Sequence, residues 1–346
     1  MSRVIFARNV NDALGSALNA LMLTGQSNPS RNGQVLAFPY PVMTEYSTPT
    51  ERVLFSPKRR ANPVFHLMES LWMLAGRADV KFPSEFVKNF GQFSDNGQDF
   101  WGAYGRRWRS WFGWDQIRAA INELSSNPQS RRVVVSMWDP VHSVVGGPQG
   151  DFETALEGGL DVPCNTQIYF DARDRRLNMT VTNRSNDIVW GCYGANAVHM
   201  SMLQEYVAAA TGWPVGRYTQ FSNNLHLYTD KYPVEEMNHL SDDCFAHNYY
   251  ATNQVSATPL VAVGENIEMF DEDLRRFFQA YDAASLHEAL DDTFYSTKFF
   301  RATVVPMGWS WHNRKNPATA LDFLSDMPPH SDWKRAMEIW LRRIEA

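Results

Sequence analysis

The strongest periodic signals along the chain are helical. Leu14, Ala17, Leu18, Leu21 and Met22 recur at 3/4 spacing and predict an amphipathic helix near the start. Pro63 to Gly76 is apolar nearly all round, with proline at its head and glycine after its end, and predicts a buried helix. Trp114 to Ser125 carries Ile117, Ala120, Ile121 and Leu124 on one face. His199, Met202, Leu203, Tyr206, Val207 and Ala210 mark a long helix stopped by Gly212 and Pro214. After Ser331, which suits a cap, Trp333, Met337, Trp340, Leu341 and Ile344 form a final stripe of the kind that packs on a core. Between these signals, Arg131 to Trp138 is rich in branched residues and predicts a strand, and Thr166 to Phe170 and Leu177 to Thr182 predict two more around the polar turn Asp171 to Arg176. Strands in the middle with helices around them predict an α+β fold.

No internal repeat or low-complexity tether interrupts this pattern. Gly25 to Gly33, Ser143 to Asp161 and Met327 to Ser331 are loop-rich, but none reads as an interdomain linker. The organisation expected is a main domain over residues 1–250 and a C-terminal appendage, 251–346, packed on it. Composition adds limits. With 346 residues, 44% of them hydrophobic, the chain can bury a large core. Its mean hydropathy of −0.39 and the lack of an apolar run near the ~20 residues needed to span a bilayer predict no membrane association. The first residues lack a signal peptide's apolar core and cleavage site. Three cysteines, none in a CxxC pair, predict neither a disulfide framework nor a metal site, and favour a reducing cytoplasm. Thirty-two basic side chains against 38 acidic ones give a net charge of −6, so DNA is not an expected partner and any anion must be held by a local cluster.

Candidate chemistry is concentrated at a few positions. Cys164, after a glycine-rich loop and before a strand, is placed as an accessible nucleophile if cations lower its pKa; a small buried hydrophobe is the plainer reading, and the one given to Cys192 and Cys244. Glu69 sits inside the apolar helix, where burial would suit a general acid or base, unless it reaches the rim. Arg31, Arg131, Arg132 and Arg184 with Ser185 are the candidates for a phosphomonoester. Neighbouring strand residues face opposite ways, so Arg131 and Arg132 could share one phosphate only at a bulge, a strand end or a second subunit. His226 and Tyr228 place two polar rings on one strand face. No P-loop, GxGxxG, HExxH or GxSxG motif occurs.

Taken in order, Ser30-Arg31 with Gly33, Glu69-Ser-Leu-Trp72 with Gly76, Tyr104-Gly-Arg-Arg-Trp108-Arg109, Ser130-Arg131-Arg132, Pro163-Cys164, Arg184-Ser185-Asn186-Asp187, Gly191, Asn196 and His226-Leu-Tyr228 resemble the thymidylate synthase and pyrimidine-nucleotide hydroxymethylase family. The resemblance covers roughly residues 10–235. It implies a thymidylate synthase-like fold, with a mixed β-sheet flanked by helices and used for dimer packing. An ungapped count from Cys164 puts Ala195 where the family has a base-reading Asn; a one-residue insertion in Cys192-Tyr-Gly-Ala195 puts Asn196 there instead. Asn196 could otherwise cap the helix that follows.

The resemblance further implies that Cys164 thiolate adds to C6 of a pyrimidine nucleoside 5′-monophosphate, with its charge favoured by Arg184. C5 then takes a one-carbon unit from the co-substrate 5,10-methylenetetrahydrofolate, without a metal. Glu69 and Tyr104 move protons, and Asp187 with Gly191 serves the folate. Arg31, Arg184 and Ser185, joined by the partner subunit's Arg131 and Arg132, hold the phosphate; His226 and Tyr228 meet the sugar; Asn196 reads the base. A cytoplasmic homodimer in a bacterial cell or phage-infected host follows. Three departures favour hydroxymethylation of dUMP over methylation: Asn165 in place of the family's His, Phe90 or Phe93 in the region of its tryptophan, and Trp340 to Ala346 in place of its short apolar tail. The appendage is expected to replace that tail as a lid. Thymidylate synthesis, a dCMP or CMP substrate, and a catalytically silent nucleotide- or RNA-binding relative are the alternatives; a cysteine hydrolase using His226 or His199 lacks motif context.

Overall fold

The computed structural model describes residues 3–141 and 150–345. Two sheets organise the chain. Six strands are ordered β1-β4-β9-β7-β6-β5: β1 (Arg3–Ala7), β4 (Val42–Tyr46), β9 (Val215–Ser222), β7 (Leu177–Asn183), β6 (Asn165–Asp171) and β5 (Val134–Ser136). The β1/β4 and β7/β9 pairs are parallel and the others antiparallel, so the sheet is mixed, as expected. A smaller sheet runs β2-β3-β10-β8, from β2 (Gln26–Ser30), β3 (Gly33–Ala37), β10 (Leu225–Tyr228) and β8 (Asn186–Asp187).

The helices are α1 (Val10–Thr24), α2 (Pro63–Leu74), α3 (Lys81–Ser84), α4 (Tyr104–Arg109), α5 (Gln116–Ser126), α6 (Asp151–Leu156) and α7 (Asn196–Thr211). Beyond β10 come α8 (Met237–Ala246), α9 (Ile267–Ala283), α10 (Leu286–Ala289), α11 (Val305–His312), α12 (Pro317–Asp322) and α13 (Asp332–Glu345). Alternation decides how the large sheet is covered. Ile5, Val42, Tyr46, Tyr218, Met179, Val181, Ile168 and Val135 point inward and are buried, and α1, α7 and α5 lie across them. The opposite face leaves Val4, Phe6, Val134 and Tyr169 exposed, Phe6 at 73%. Among the described residues nothing covers these four side chains.

A third layer lies on α7. All twelve residues of α2 are buried, which is why its sequence shows no polar face. Asn62 caps it through the Phe65 N–H, with Pro63 in the first turn. The appendage covers its far side: α11 and α13 pack on α2, while Phe82 of α3 meets Phe277, Phe278 and Tyr281 of α9 edge-on at 4.9–6.0 Å between centroids. Asp332, at the head of α13, accepts from the Tyr250 hydroxyl at 2.7 Å, and that hydroxyl also meets the Val53 N–H at 3.2 Å. Trp333, Met337 and Leu341 of the expected stripe are buried and Trp340 packs at its edge; Ile344 lies outside the described side chains.

Several expectations shift. Gly25 to Gly33 is no loop but the β2/β3 hairpin turning at Arg31-Asn32. Every β2 residue is exposed, so no apolar alternation announces it, and Pro29 is tolerated on an edge strand. β1 precedes the first helix. The strand expected to open at Arg131 is only Val134–Ser136, which leaves Arg131 and Arg132 exposed ahead of it. Of Ser143 to Asp161, residues through Gln149 lie outside the described ones, and the rest holds α6. No described helix is long and apolar enough to cross a membrane.

Candidate active site

Two clefts meet at one wall. The inner one, about 340 Å³, lies between α2, α4, the segment before β6 and the turn into α7. The outer one, about 620 Å³, is framed by the β2/β3 hairpin, β10 and the end of β7. Cys164, Ser185, His226 and Tyr228 belong to both. The thiol thus borders both clefts.

The outer cleft gathers Arg31, Arg184 and Ser185. The Arg184 guanidinium is steered by its own loop: Nε donates to the Pro163 carbonyl at 3.0 Å and Nη2 to that of Val162 at 2.9 Å, with Trp138 beneath it at 5.9 Å. Its backbone N–H bonds the Cys164 carbonyl at 2.9 Å, which ties the end of β7 to the thiol. Arg31 is exposed and donates to the Gly159 carbonyl at 3.1 Å. Both cations bear on Cys164. Burial pushes the thiol up; Arg184 pulls it down, Asp161 raises it again and Arg31 lowers it. Arg184 therefore acts in the expected direction, but burial outweighs it. Half-buried Asp161 is itself pushed up to about 6 by desolvation, opposed by the Gly102 N–H at 2.8 Å and by Arg107. Cys192 and Cys244 are buried and their thiols raised by desolvation, the behaviour of small hydrophobes.

The inner cleft holds Glu69, Tyr104, Asp187, Gly191 and Asn196. Tyr104 starts α4, which approaches α2 closely because residue 105 is glycine; a Cβ there would lie 2.1 Å from the Met73 carbonyl oxygen. Burial drives the Tyr104 phenol far up, partly offset by backbone groups of Asn165 and Cys164. Tyr104 thus stays neutral and can pass a proton only by taking one as it gives one. Asp187 accepts from the Trp190 N–H, and burial raises its carboxyl despite that bond, His226 and Arg59. Beside it in the parallel β8/β10 pair, His226 is lowered by burial, with Nδ1 2.9 Å from Asn224 Oδ1 and its ring edge-on to Tyr228 at 5.0 Å.

A turn with π-type bonding, Ile188–Ala195, separates Asp187 from α7, and its backbone leaves helical geometry at Tyr193 and Gly194. A widened turn of this kind accommodates an extra residue. It brings Asn196 to the cleft, where Nδ2 donates to Asn186 Oδ1 at 3.1 Å; no side chain caps α7, so the capping alternative for Asn196 falls. Gly191 is required beside this pair, since a Cβ would sit 2.7 Å from Asn186 Oδ1. Trp72, Phe90, Phe93, Phe100 and Trp190 supply broad apolar walls suited to a flat heterocycle. Phe90 and Phe93, one or the other of which was expected in the region of the family's tryptophan, both line the cleft, together with two tryptophans from other elements.

Three placements bear on the sequence reading. Arg131 and Arg132 line neither cleft of their own chain. Among the described residues none after Tyr228 lines either cleft, and the appendage's apolar stripe packs against α2, α11 and α12. The partner of Glu69 is His199, with Nε2 3.0 Å from Oε2 and both side chains buried. His199 was read as part of a helix stripe and as a possible hydrolase histidine, not as a partner of Glu69; its polarity on that buried face was the signal. Among the described residues no His, Cys, Asp and Glu group is placed to hold a metal ion.

Comparison with known proteins fits this geometry. The thymidylate synthase family model matches residues 15–257. The deoxyuridylate hydroxymethyltransferase of Pseudomonas phage M6 is 40% identical over 99% of this chain and 95% of its own. Its counterpart from Bacillus phage SP01 is 38% identical over 56% of this chain and 50% of its own, and the thymidylate synthase of Symbiobacterium thermophilum 33% over 46% and 57%. Thymidylate synthase from T4 phage shares the fold, with a TM-score of 0.53 at 19% identity over 65% of this chain and 79% of that one.

Proposed function

Since the chain belongs to the thymidylate synthase family, we propose that it transfers a one-carbon unit from 5,10-methylenetetrahydrofolate to C5 of dUMP and completes the reaction with water, giving 5-hydroxymethyl-dUMP. The observation that carries the reading is Cys164 on the wall shared by a cleft with two arginines and a serine and a cleft walled by aromatics. Similarity to the phage M6 hydroxymethyltransferase, which extends through the C-terminal region as well, favours the hydroxymethyl product.

In this reading Arg31, Arg184 and Ser185 hold the 5′-phosphate, and His226 and Tyr228 the sugar. Asn196, fixed by Asn186, meets the N3–H and O4 edge of uracil. The Cys164 thiolate adds to C6, so C5 becomes a carbon nucleophile. Glu69 serves proton transfer to the folate, Tyr104 passes on the C5 proton, and Asp187 with Gly191 binds the pterin against the aromatic walls. After tetrahydrofolate leaves, C5 carries an exocyclic methylene; hydride would give methyl and water gives hydroxymethyl. Residues 1–250 form the catalytic domain and 251–346 an appendage that braces it.

The test is the product. Incubation with dUMP and methylenetetrahydrofolate yields 5-hydroxymethyl-dUMP and tetrahydrofolate in equal amounts by chromatography and mass spectrometry. Appearance of dTMP with dihydrofolate overturns this in favour of thymidylate synthesis, and turnover confined to dCMP or CMP overturns the choice of base.

The uncovered face of the large sheet supports a homodimer, and the exposed Arg131 and Arg132 support a phosphate cleft completed by the partner. A mixing experiment decides. Cys164→Ser and the double variant Arg131→Ala/Arg132→Ala are each inactive or nearly so. Unfolded and refolded together, they regain activity, because one of the two sites in a hybrid receives an intact cysteine and intact arginines. No recovery, with hybrid formation shown by native mass spectrometry, rules out sharing.

A further inference from the structure

Among the described residues three carboxylates line the inner cleft, Glu69, Asp187 and Asp161, and the reaction proposed above uses only the first two. Asp161 is fixed from both sides. Asp95 accepts from the Leu160 N–H at 2.8 Å and the Asp161 N–H at 3.0 Å, which holds the backbone, and Asp161 Oδ2 accepts from the Gly102 N–H at 2.8 Å, which holds the side chain. Gly102 leaves room for it, since a Cβ there would lie 2.7 Å from Oδ1 and 3.1 Å from the Pro163 nitrogen. Cys164 follows three residues later, and Arg184 holds the carbonyls of Val162 and Pro163 between the two. Carboxylate and thiol therefore stand on one short segment pinned along its length. Oδ1 has neither a hydrogen bond nor an ion pair among the described residues, and it is not sealed from solvent. Leu160, next to Asp161, lines the same cleft and is exposed, which puts the pair at the cleft's mouth, within reach of water.

The closing step of that reaction has one proton with no assigned acceptor. Water adding to the exocyclic methylene forms a C–O bond and loses a proton, while the methylene π electrons move to O4 as an enolate. The enolate then re-forms the C4 carbonyl and the C5–C6 double bond as the C6–S bond breaks. The methylene is attached to C5, next to the carbon that Cys164 holds, so it forms beside the segment that carries Asp161. We propose that Asp161 is a catalytic residue for this step: its free Oδ1 orients the water and takes its proton, and so directs the methylene to the hydroxymethyl product. The charge around the group suits this use. Desolvation pushes its carboxyl up to about 6, with the Gly102 N–H and Arg107 opposing and Asp95 and Asp151 adding to the rise, so it is ionised at neutral pH yet more basic than a solvated carboxylate. Over the cycle the two protons lost, one from C5 and one from water, match the two that tetrahydrofolate gains at its nitrogens. Oδ1 gives its proton back through solvent to the groups that protonated the folate, and no further reactant is needed. The inference rests on the hydroxymethylase reading.

Asp161→Asn keeps an acceptor for the Gly102 N–H but cannot take a proton. Because Asp161 raises both the Cys164 thiol and the Tyr104 phenol, its loss does not hinder the earlier steps. With enzyme in excess over dUMP tritiated at C5, and methylenetetrahydrofolate present, the variant releases tritium within about threefold of the wild-type rate, whereas 5-hydroxymethyl-dUMP appears roughly 10²-fold more slowly, a general base's usual share. Added 2-mercaptoethanol, whose thiolate needs no base, captures the accumulated methylene as a C5 thioether in the variant far more than in the wild type. Tritium release that slows in step with product, or product formed at the wild-type rate, overturns the inference. If the Asn variant forms no 5-fluoro-dUMP–folate adduct, Asp161→Ala with added formate takes its place: product formation restored by formate supports the inference, and failure of formate to restore it overturns it. A wild-type enzyme that makes dTMP removes both this inference and the reading beneath it; parallel loss of the two rates in the variant of an enzyme that makes 5-hydroxymethyl-dUMP removes this inference alone.

Discussion

Cys164→Ser turns over at least about 10⁴-fold more slowly than the parent enzyme and forms no covalent adduct with 5-fluoro-dUMP and the folate, while its affinity for dUMP stays within about threefold. Serine nearly fills the space but has a far less acidic proton. The site does little to help it, because burial already disfavours an anion there and Arg184 offsets this only in part. Nucleotide binding survives because Arg31, Arg184, Ser185, His226 and Tyr228, the groups proposed to hold phosphate and sugar, are untouched by the change. Rapid-quench turnover, intact-mass analysis of the trapped complex and equilibrium binding give the three values. A serine variant that keeps a tenth of the parent's rate would remove Cys164 from the reaction.

The largest stability effect is expected at a position with no chemical role. Asp151→Ala destabilises the fold by about 3–5 kcal/mol in equilibrium denaturation, because it strands a buried cation. Arg107 is 0% exposed. Two parallel bonds of 2.9 and 2.8 Å join it to Asp151, whose Oδ2 also accepts from the Asp139 N–H at 2.7 Å. Further bonds run to the carbonyls of Trp101 at 2.9 Å and Met137 at 3.2 Å, and Trp111 covers the guanidinium at 4.1 Å. Removing both charges, as in Arg107→Met/Asp151→Leu, costs less than removing the carboxylate alone. A single variant within 1 kcal/mol of the parent would show that water reaches and solvates the arginine.

The parts of this architecture legible in the sequence are those where one face is buried and the other is not. The stripes of α1, α5 and α13 were readable for that reason, and so was the β6/β7 hairpin. β2 was hidden because it buries nothing, and β1 and β4 because each is only five residues long. At the site, the cysteine, arginines and Asp187 were legible as motifs in order, and the placement of Asn196 required only that one turn be longer than expected, which the irregular backbone at Tyr193 and Gly194 allows. What could not be read was pairing at a distance. Glu69 and His199 lie on different helices, and Asp151 reaches Arg107 across 44 residues. No local pattern records such contacts. The appendage was legible in part: its stripe was seen as apolar and bound for the core, but an apolar stripe does not say which helix it covers.

α2 carries Glu69 with α7 on one side and the appendage on the other, so none of its side chains is free to vary alone. A larger residue at Phe65, Met68 or Trp72 must be answered by a smaller one in α7, α11 or α13. Among relatives that keep the appendage, substitutions in α2 should therefore arise in compensating pairs with it, and those that have lost it should carry an α2 with a polar outer face. The covering of this one helix makes the C-terminal quarter and the catalytic carboxylate a single unit of inheritance.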